Sequence, residues 1–200
     1  AVTSCQDLDG DGVRELVVGA DGDNSAGINA GAVYILYLKQ REDEIVKKAV
    51  RISEEDGGFD ASLSAYGRFG TSVAEVGSDL DGNGVDDLVV GASDYEISTG
   101  YDGHRKNIFR VTFLRAIYIL YMKEDKTAPV LHAQTITGLN PIFEDSFSDG
   151  DQFGYALTAI DLDLDGNGVN ELVVGVPGDG EKGKNSGKRL LIYDDKIRSV

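Results

Sequence analysis

The chain has 200 residues, 41% of them hydrophobic, which is enough apolar material to bury a core and excludes disorder along its whole length. Nineteen Lys and Arg against 35 Asp and Glu leave a net charge of −16 at pH 7, so nucleic acid, whose phosphates need cationic partners, is excluded as a default partner. The longest apolar runs have about seven residues, whereas a membrane-spanning helix needs roughly 20, so we expect no membrane span in this chain.

An internal repeat organises the sequence. Three motifs recur in fixed order: a Phe-Gly pair, an acidic motif that ends in Leu-Val-Val-Gly, and an apolar motif that ends in Tyr. Such order does not arise by chance, so the chain consists of three related units. The apolar motif begins 24 residues after the first Asp in the first and third units and 36 residues after it in the second. The acidic motifs lie at 7–20, 79–92 and 163–176, the apolar motifs at 31–37, 115–121 and 187–193, and the Phe-Gly pairs at 69–70 and 153–154.

Each motif is short, rich in Val, Ile, Leu and Tyr, and bounded by Gly, Asp and Asn, which predicts a strand. In chain order, a unit has a first strand (71–76, 155–160), a second strand joined to it by the acidic loop, a third strand in the apolar motif, and a fourth (47–53, 130–137). The runs at 41–50 and 123–130 do not predict helices, because the first is only about two and a half turns long and the second contains Pro129.

A four-stranded antiparallel unit that repeats every 72 to 84 residues is typical of a β-propeller blade. We therefore expect an all-β fold, a partial propeller with approximate blades at 1–66, 67–140 and 141–200. The first blade is expected to lack its Phe-Gly strand, and the last most of its fourth strand. Three blades do not close a ring, since propellers have 4 to 8. The remaining blades are expected from the same or another chain, with a stand-alone three-unit solenoid as the alternative.

The three motifs, taken in order, resemble the FG-GAP repeat of the integrin alpha-subunit propeller. They are Phe-Gly, the DxDGxG loop followed by LVVGA, and GAVYI. The resemblance covers nearly the whole chain. It departs at Val176-Pro177, where the second copy has Ala92-Ser93, and no copy has the full Gly-Ala-Pro. The resemblance implies a seven-bladed, calcium-binding, extracellular recognition propeller, with metal at one face and a macromolecular ligand at the other.

The acidic loops carry oxygen ligands at alternate positions, with a glycine for the sharp turn, as calcium sites require. An EF-hand is excluded, because its twelfth position needs Glu and is Val18, Val90 or Val174 here. Asp, Asn and Gly also form turns without metal, but three copies of one alternation favour ligation of up to three Ca²⁺ ions. The predicted ligands are Asp7, Asp9, Asp11, Val13 (carbonyl) and Glu15; Asp79, Asp81, Asn83, Val85 (carbonyl) and Asp87; and Asp163, Asp165, Asn167, Val169 (carbonyl) and Glu171.

Successive connections of an antiparallel meander alternate between its two ends, so the longer polar connections share the end opposite the acidic loops. Binding function is usually found in loops on a rigid scaffold, which favours this end for a protein or glycan ligand. The extra residues of the middle unit lie around Tyr95, Tyr101, His104 and Arg105 and have no counterpart in the other two units. Tyr and Arg are enriched at binding hot spots, which favours a binding role; a variable solvated loop is the alternative. These connections span 21–30, 53–68, 93–107, 138–152 and 177–188.

Catalysis is not expected. The chain has two histidines, His104 and His132, and no GxSxG motif, and its carboxylates concentrate where metal ligation already explains them. The sequence therefore predicts a calcium-binding propeller segment of a secreted or cell-surface protein that mediates adhesion or ligand recognition. A purely structural ectodomain scaffold, or a non-catalytic accessory repeat of a larger secreted enzyme, is the alternative.

Overall fold

Three four-stranded antiparallel sheets make up the part of the chain that the computed structural model describes, which is residues 1–39, 45–54, 56–99, 110–138, 140, 143, 147, 151–178, 187–193 and 196–199. Each sheet pairs its strands in chain order. The first contains β1 (Val2–Cys5), β2 (Glu15–Ala20), β3 (Ala32–Leu38) and β4 (Val46–Ile52); the second β5 (Phe69–Glu75), β6 (Leu88–Thr99), β7 (Arg110–Met122) and β8 (Val130–Thr137); the third β9 (Ala156–Ile160), β10 (Glu171–Val176), β11 (Lys188–Tyr193) and β12 (Lys196–Ser199).

The predicted all-β partial propeller is confirmed, and within these residues there is no helix. No described element has the length and apolarity of a membrane-spanning helix. The expectation that the first unit lacks its first strand is wrong. Residues Val2–Cys5 fill that place, with Val2 opposite Val18 and Cys5 opposite Glu15. Strand pairing needs only main-chain groups and is favoured by β-branched side chains such as Val2 and Thr3, so the absence of Phe-Gly does not remove the strand.

The last sheet also has its fourth strand, although it is short. Lys196–Ser199 pairs with β11 over four residue pairs, whereas the fourth strands of the other sheets have seven and eight residues. The expectation that most of this strand is missing was therefore too strict, and each of the three sheets has four strands.

The extra residues of the middle unit lengthen two strands rather than forming an irregular connection from residue 93 onward. After a register shift between Ala92 and Tyr95, β6 and β7 continue to pair until Thr99 lies opposite Arg110. The alternating Tyr95, Ile97 and Thr99 have side chains that favour strands, which explains the extension. The side chain of Tyr95, and Tyr101, His104 and Arg105 entirely, lie outside the described residues.

The phenylalanine of each Phe-Gly pair lies at the centre of an aromatic cluster. Phe69 is fully buried, with its ring centroid 5.1 Å from Phe59 and 5.2 Å from Tyr118. Phe153 takes the same position in the third sheet, 5.1 Å from Phe143 and 5.4 Å from Phe147. Phe59, Phe143 and Phe147 come from the connections between sheets, so these connections add apolar cover to the core.

The glycines of the repeat allow neighbouring sheets to approach closely. A Cβ atom on Gly19 of β2 would lie 2.0 Å from the carbonyl oxygen of Gly70 in β5, and a Cβ on Gly91 of β6 would lie 2.5 Å from the carbonyl oxygen of Gly154. Only glycine permits backbones to come this near. The Leu-Val-Val-Gly glycine of one unit therefore packs on the Phe-Gly glycine of the next, which explains why both motifs recur in fixed order.

Replacement of Gly19 tests this contact. We expect Gly19→Ala to lower the free energy of unfolding by about 2 kcal/mol or more, because the added methyl group meets backbone that cannot rotate away. Urea unfolding followed by circular dichroism measures the change. Gly22→Ala is the matched control, since its Cβ would meet only Asn29 Oδ1 at 3.9 Å. Equal effects of the two substitutions would contradict the packing argument.

Candidate metal centres

The three acidic loops join the first and second strands of their sheets, and each brings three carboxylates together. Within each group, one ligand atom from each acid lies within 4.8 Å of the other two. The groups combine the first two alternate acids of the loop with the acid at or just before the start of the second strand. They are Asp7, Asp9 and Glu15; Asp79, Asp81 and Asp87; and Asp163, Asp165 and Glu171.

The first acid of each loop holds the turn. In the first loop the Gly10 amide donates to Asp7 Oδ1 at 2.7 Å and the Gly12 amide to Asp7 Oδ2 at 2.6 Å. Gly12 has φ of 85°, a left-handed conformation that favours glycine. Hydrogen bonds from these amides lower the pKa of Asp7, and the one from Gly12 has the largest effect, so this carboxylate stays ionised. The Gly84 amide donates to Asp79 at 2.6 Å and the Gly168 amide to Asp163 at 2.8 Å in the same way.

The closing acid of each loop is buried and ties the hairpin to other backbone. Glu15 is 1% exposed, and its Oε2 accepts a hydrogen bond from the Leu38 amide at the end of β3, at 3.1 Å. Asp87 accepts from the Met122 amide at the end of β7 and from the Leu80 amide, both at 2.8 Å. Burial raises the pKa of Asp87 to about 6 and also raises that of Glu15. Glu171 accepts from the Leu164 amide at 2.7 Å.

Several of these buried oxygens have no hydrogen-bond donor among the described residues. They are Asp9 Oδ1, Glu15 Oε1 and Glu171 Oε2. Leaving a buried acceptor unpaired costs about 1–3 kcal/mol, and more when the group is charged. Turn chemistry accounts for the first acid of each loop but gives no reason to bury the closing acid beside two other carboxylates. The all-oxygen donor set fits a hard divalent cation such as Ca²⁺ and does not fit a thiolate- or imidazole-binding metal.

The third alternate position of each loop makes a local turn. Asp11 Oδ1 accepts the Val13 amide at 2.9 Å, Asn83 Oδ1 the Val85 amide at 2.8 Å, and Asn167 Oδ1 the Val169 amide at 2.7 Å. Asp11 does not belong to the convergent acid group of its loop. Ligation by Asp11, Asn83 and Asn167, and by the carbonyls of the three valines, stays a prediction.

A lysine that no sequence motif predicts contacts the first loop. Lys47 Nζ lies 2.5 Å from Asp9 Oδ2 and also contacts Asp11 Oδ2, while Lys126 Nζ is 3.9 Å from Asp9 Oδ2. The hydrogen bond from Lys47 to Asp11, and to a smaller extent the one to Asp9, raises the pKa of Lys47. No spacing rule signals this contact, because Lys47 comes from β4, 36 positions after Asp11.

The loops also contact the neighbouring sheet. Arg14 in the first loop pairs with Glu75 at the end of β5. Asn170 holds the same position in the third loop. Its Nδ2 donates to the Gly77 carbonyl at 2.8 Å, and its main-chain N–H donates to Ser78 Oγ at 2.9 Å. Ordering a loop therefore also orders a contact between sheets.

The one histidine within the described residues has a structural partner. His132 Nδ1 lies 2.6 Å from Asp60 Oδ2, and its ring stacks on Tyr121 with centroids 5.9 Å apart. The Asp60 carboxylate also accepts the Ala133 amide at 2.7 Å. These contacts join the connection before β5 to β8.

Asp87 gives the protein a pH dependence of defined sign when divalent cations are absent. Its pKa is about 6 in the folded state against the ordinary 3.8, so its stabilising contribution is fully present below about pH 4 and is lost as pH rises through 6. In chelated and dialysed protein, we expect the free energy of unfolding in urea to fall between pH 5 and pH 7. Asp87→Asn should flatten this slope, and an unchanged slope would contradict the assignment.

Comparisons with known proteins agree with this architecture. The FG-GAP repeat family matches residues 1–36. The chain is 32% identical over 199 residues, 96% of its length, to phosphatidylinositol-glycan-specific phospholipase D from Bos taurus, and covers 20% of that protein. It is 29% identical to integrin alpha-PS5 from Drosophila melanogaster over 181 residues, which is 86% of this chain. It is also 29% identical to integrin alpha-5 from Xenopus laevis over 180 residues, which is 88% of this chain, and it covers 14% of each integrin. The chain thus spans a fifth or less of these relatives. Its repeats, its sheets and these matches make it an FG-GAP repeat protein that resembles the integrin alpha subunit and forms part of a β-propeller.

Proposed function

We propose that this chain is a calcium-binding propeller segment of a secreted or cell-surface protein. In this proposal a bound ion acts as a staple, which means that it holds an acidic hairpin closed. The observation that carries the proposal is the buried carboxylate, Glu15, Asp87 or Glu171, that meets two further acids at the same place in all three sheets. Three mutually repelling carboxylates destabilise a folded hairpin, and a divalent ion would remove that repulsion. The bound ion would supply charge neutralisation and cross-linking, and no chemical reaction.

Calcium suits these loops better than magnesium. Ca²⁺ accepts six to eight oxygens in flexible geometry, whereas Mg²⁺ demands a near-ideal octahedron and keeps several waters. The loops offer acidic, amide and main-chain oxygens from short, turning backbone, which can adapt to an irregular shell. Three ions would bring the net charge from −16 to −10, so the loaded chain would still be acidic. Extracellular calcium modules typically bind calcium with dissociation constants of 10⁻⁴ to 10⁻³ M, and we expect this range for a secreted or cell-surface segment.

We also propose that the segment itself is non-catalytic and combines with further blades. The resemblance to integrin alpha supports a seven-bladed ring, with the remaining blades from the same or another chain. The match to a phospholipase D, of which the chain covers 20%, supports a second candidate, an accessory repeat within a larger secreted enzyme. In both cases the chain's contribution would be a rigid, calcium-held scaffold.

The end of the sheets opposite the acidic loops is the proposed recognition face. Tyr66 and Ile28, from two different connections, are 51% and 59% exposed, and the Tyr66 amide donates to the Ile28 carbonyl at 2.7 Å. Tyr66 has φ of 64°, a strained conformation for a bulky side chain. An exposed aromatic with a strained backbone beside an exposed isoleucine supports an interaction surface at this end.

Thermal unfolding with and without calcium tests the staple. At about ten times the dissociation constant, each ion adds about 1.4 kcal/mol, so three ions should raise Tm by about 10 °C. Glu171→Gln is designed to keep the Leu164 hydrogen bond and remove one charge, so it should reduce the calcium-induced rise by about a third without lowering the Tm measured in chelator. Magnesium at the same concentration is the control. A folded sample with no calcium-dependent shift would refute the staple.

Adhesion of cells to surfaces coated with the chain tests the recognition face. We expect adhesion in calcium, and a loss of at least half of it in the double variant Tyr66→Ser, Ile28→Ser. Leu162→Ser with Leu164→Ser is the matched control, because these leucines are similarly exposed but lie in the third acidic loop. Equal adhesion by all three proteins, or by none of them, would instead favour the scaffold without its own ligand.

A further inference from the structure

The first acidic loop differs from the second in the residue that a β-bulge presents to it. In the first sheet Tyr37 pairs with Lys48 and Leu38 with Val46, so Lys47 is the extra residue of β4. In the second sheet Tyr121 pairs with His132 and Met122 with Val130, so Leu131 is the extra residue of β8. The amides of Leu38 and Met122, opposite the two bulges, donate to the closing acids Glu15 and Asp87. Lys47 and Leu131 therefore hold equivalent positions beside the two loops.

The ion pairs of Lys47 with the carboxylates of the first loop differ from ordinary surface ion pairs. The Asp9 side chain is 4% exposed and that of Lys47 is 22% exposed. Lys47 Nζ contacts both Asp9 and Asp11, so one ammonium serves two of the four acids of the loop. Exposed pairs are weakened by solvent, whereas a pair with a nearly buried carboxylate is screened much less. Among the described residues, no lysine or arginine forms an ion pair with the acid groups of the second and third loops.

We propose that Lys47 is a built-in cation that competes with the divalent ion at the first loop, so that this loop binds calcium more weakly than the second and third. The inference rests on the proposed calcium function and adds a ranking of the three sites. To bind calcium, the first loop must displace the ammonium from Asp9 and Asp11 or hold two cations side by side, and both reduce affinity. The number of carboxylates alone suggests the opposite order. At the predicted side-chain ligand positions the first loop has Asp7, Asp9, Asp11 and Glu15, whereas each other loop has three acids and an asparagine.

At low calcium the ammonium has a second consequence. Lys47 links β4 to the first loop without a metal ion, whereas the described residues place no such ammonium at the acid groups of the second and third loops. The first loop would therefore act as a constitutive staple that calcium reinforces only at high concentration. The position in the third sheet that corresponds to Lys47 lies outside the described residues, so the comparison depends on Lys47 and Leu131.

The test is a calcium titration of the full chain followed by ¹H–¹⁵N NMR. The amides of Gly12, Gly84 and Gly168 donate to the first acid of their loops in the same way, at 2.6, 2.6 and 2.8 Å, so they are equivalent reporters of the three sites in one sample. In the wild type we expect Gly12 to half-saturate at about tenfold higher calcium than the other two.

Reciprocal variants exchange the bulge residues. Lys47→Leu should lower the half-saturation point of Gly12 by about tenfold, and Leu131→Lys should raise that of Gly84 several-fold. Lys48→Leu is the matched control, because it removes the same charge from the next residue, whose ammonium contacts the Lys126 carbonyl instead. It should leave Gly12 within twofold of the wild type.

Two negative outcomes are distinguishable. If all three glycines saturate together in the wild type, and neither Lys47→Leu nor Leu131→Lys moves its reporter, the competing-cation inference is overturned while the calcium function stands. If none of the glycines responds to millimolar calcium in the wild type or in Lys47→Leu, the calcium function is overturned and the inference with it. A response of Gly12 to Lys48→Leu as large as that to Lys47→Leu would also overturn the inference, because overall charge would then explain the effect.

Discussion

Each acidic hairpin buries one carboxylate near the start of its second strand, and this group links that strand to other backbone of the same sheet. Through its hydrogen bonds it contacts the backbone at the end of the third strand, as Glu15 does at Leu38, or the beginning of its own loop, as Glu171 does at Leu164; Asp87 does both. A buried charge is unfavourable unless it is neutralised. The same group that joins the strands therefore also creates the need for a cation, which couples the fold of each sheet to the proposed metal site.

Neighbouring sheets are joined at two levels, and each level uses a different part of the repeat. Backbone contacts between glycines, such as Gly19 against Gly70, set how closely the sheets approach and do not depend on charge. Polar contacts from the loops, such as Arg14 with Glu75 and Asn170 with Ser78, join the same sheets near their acidic ends. Close packing can thus persist without metal, whereas the position of the loop-end contacts depends on whether the loops are closed.

The sequence allowed the strands and the convergent acids to be predicted because both are local. Asp79, Asp81 and Asp87 come from one short segment, so alternation and a single turn bring them together. Two features could not be predicted from the repeat motifs, because strand pairing does not depend on them. Val2–Cys5 forms a strand without Phe-Gly, and the extra residues of the middle unit extend β6 and β7 because their side chains suit strands. Lys47 could not be predicted, since a bulge and a long separation along the chain bring it to the loop.

Near-identity of sequence in the three loops does not make the three sites physically equal. The loop motif supplies the acids, but the net charge at the site also includes residues that the sheet delivers from elsewhere. In the first loop a fourth carboxylate, Asp11, occurs together with the ammonium of Lys47, which offsets the added negative charge and already occupies Asp9 and Asp11. On the proposed competition, a repeat protein would vary the cation dependence of individual blades by changing one strand residue beside the loop. Such a change leaves the conserved turn geometry of the motif, and hence the packing of the blades, as it was.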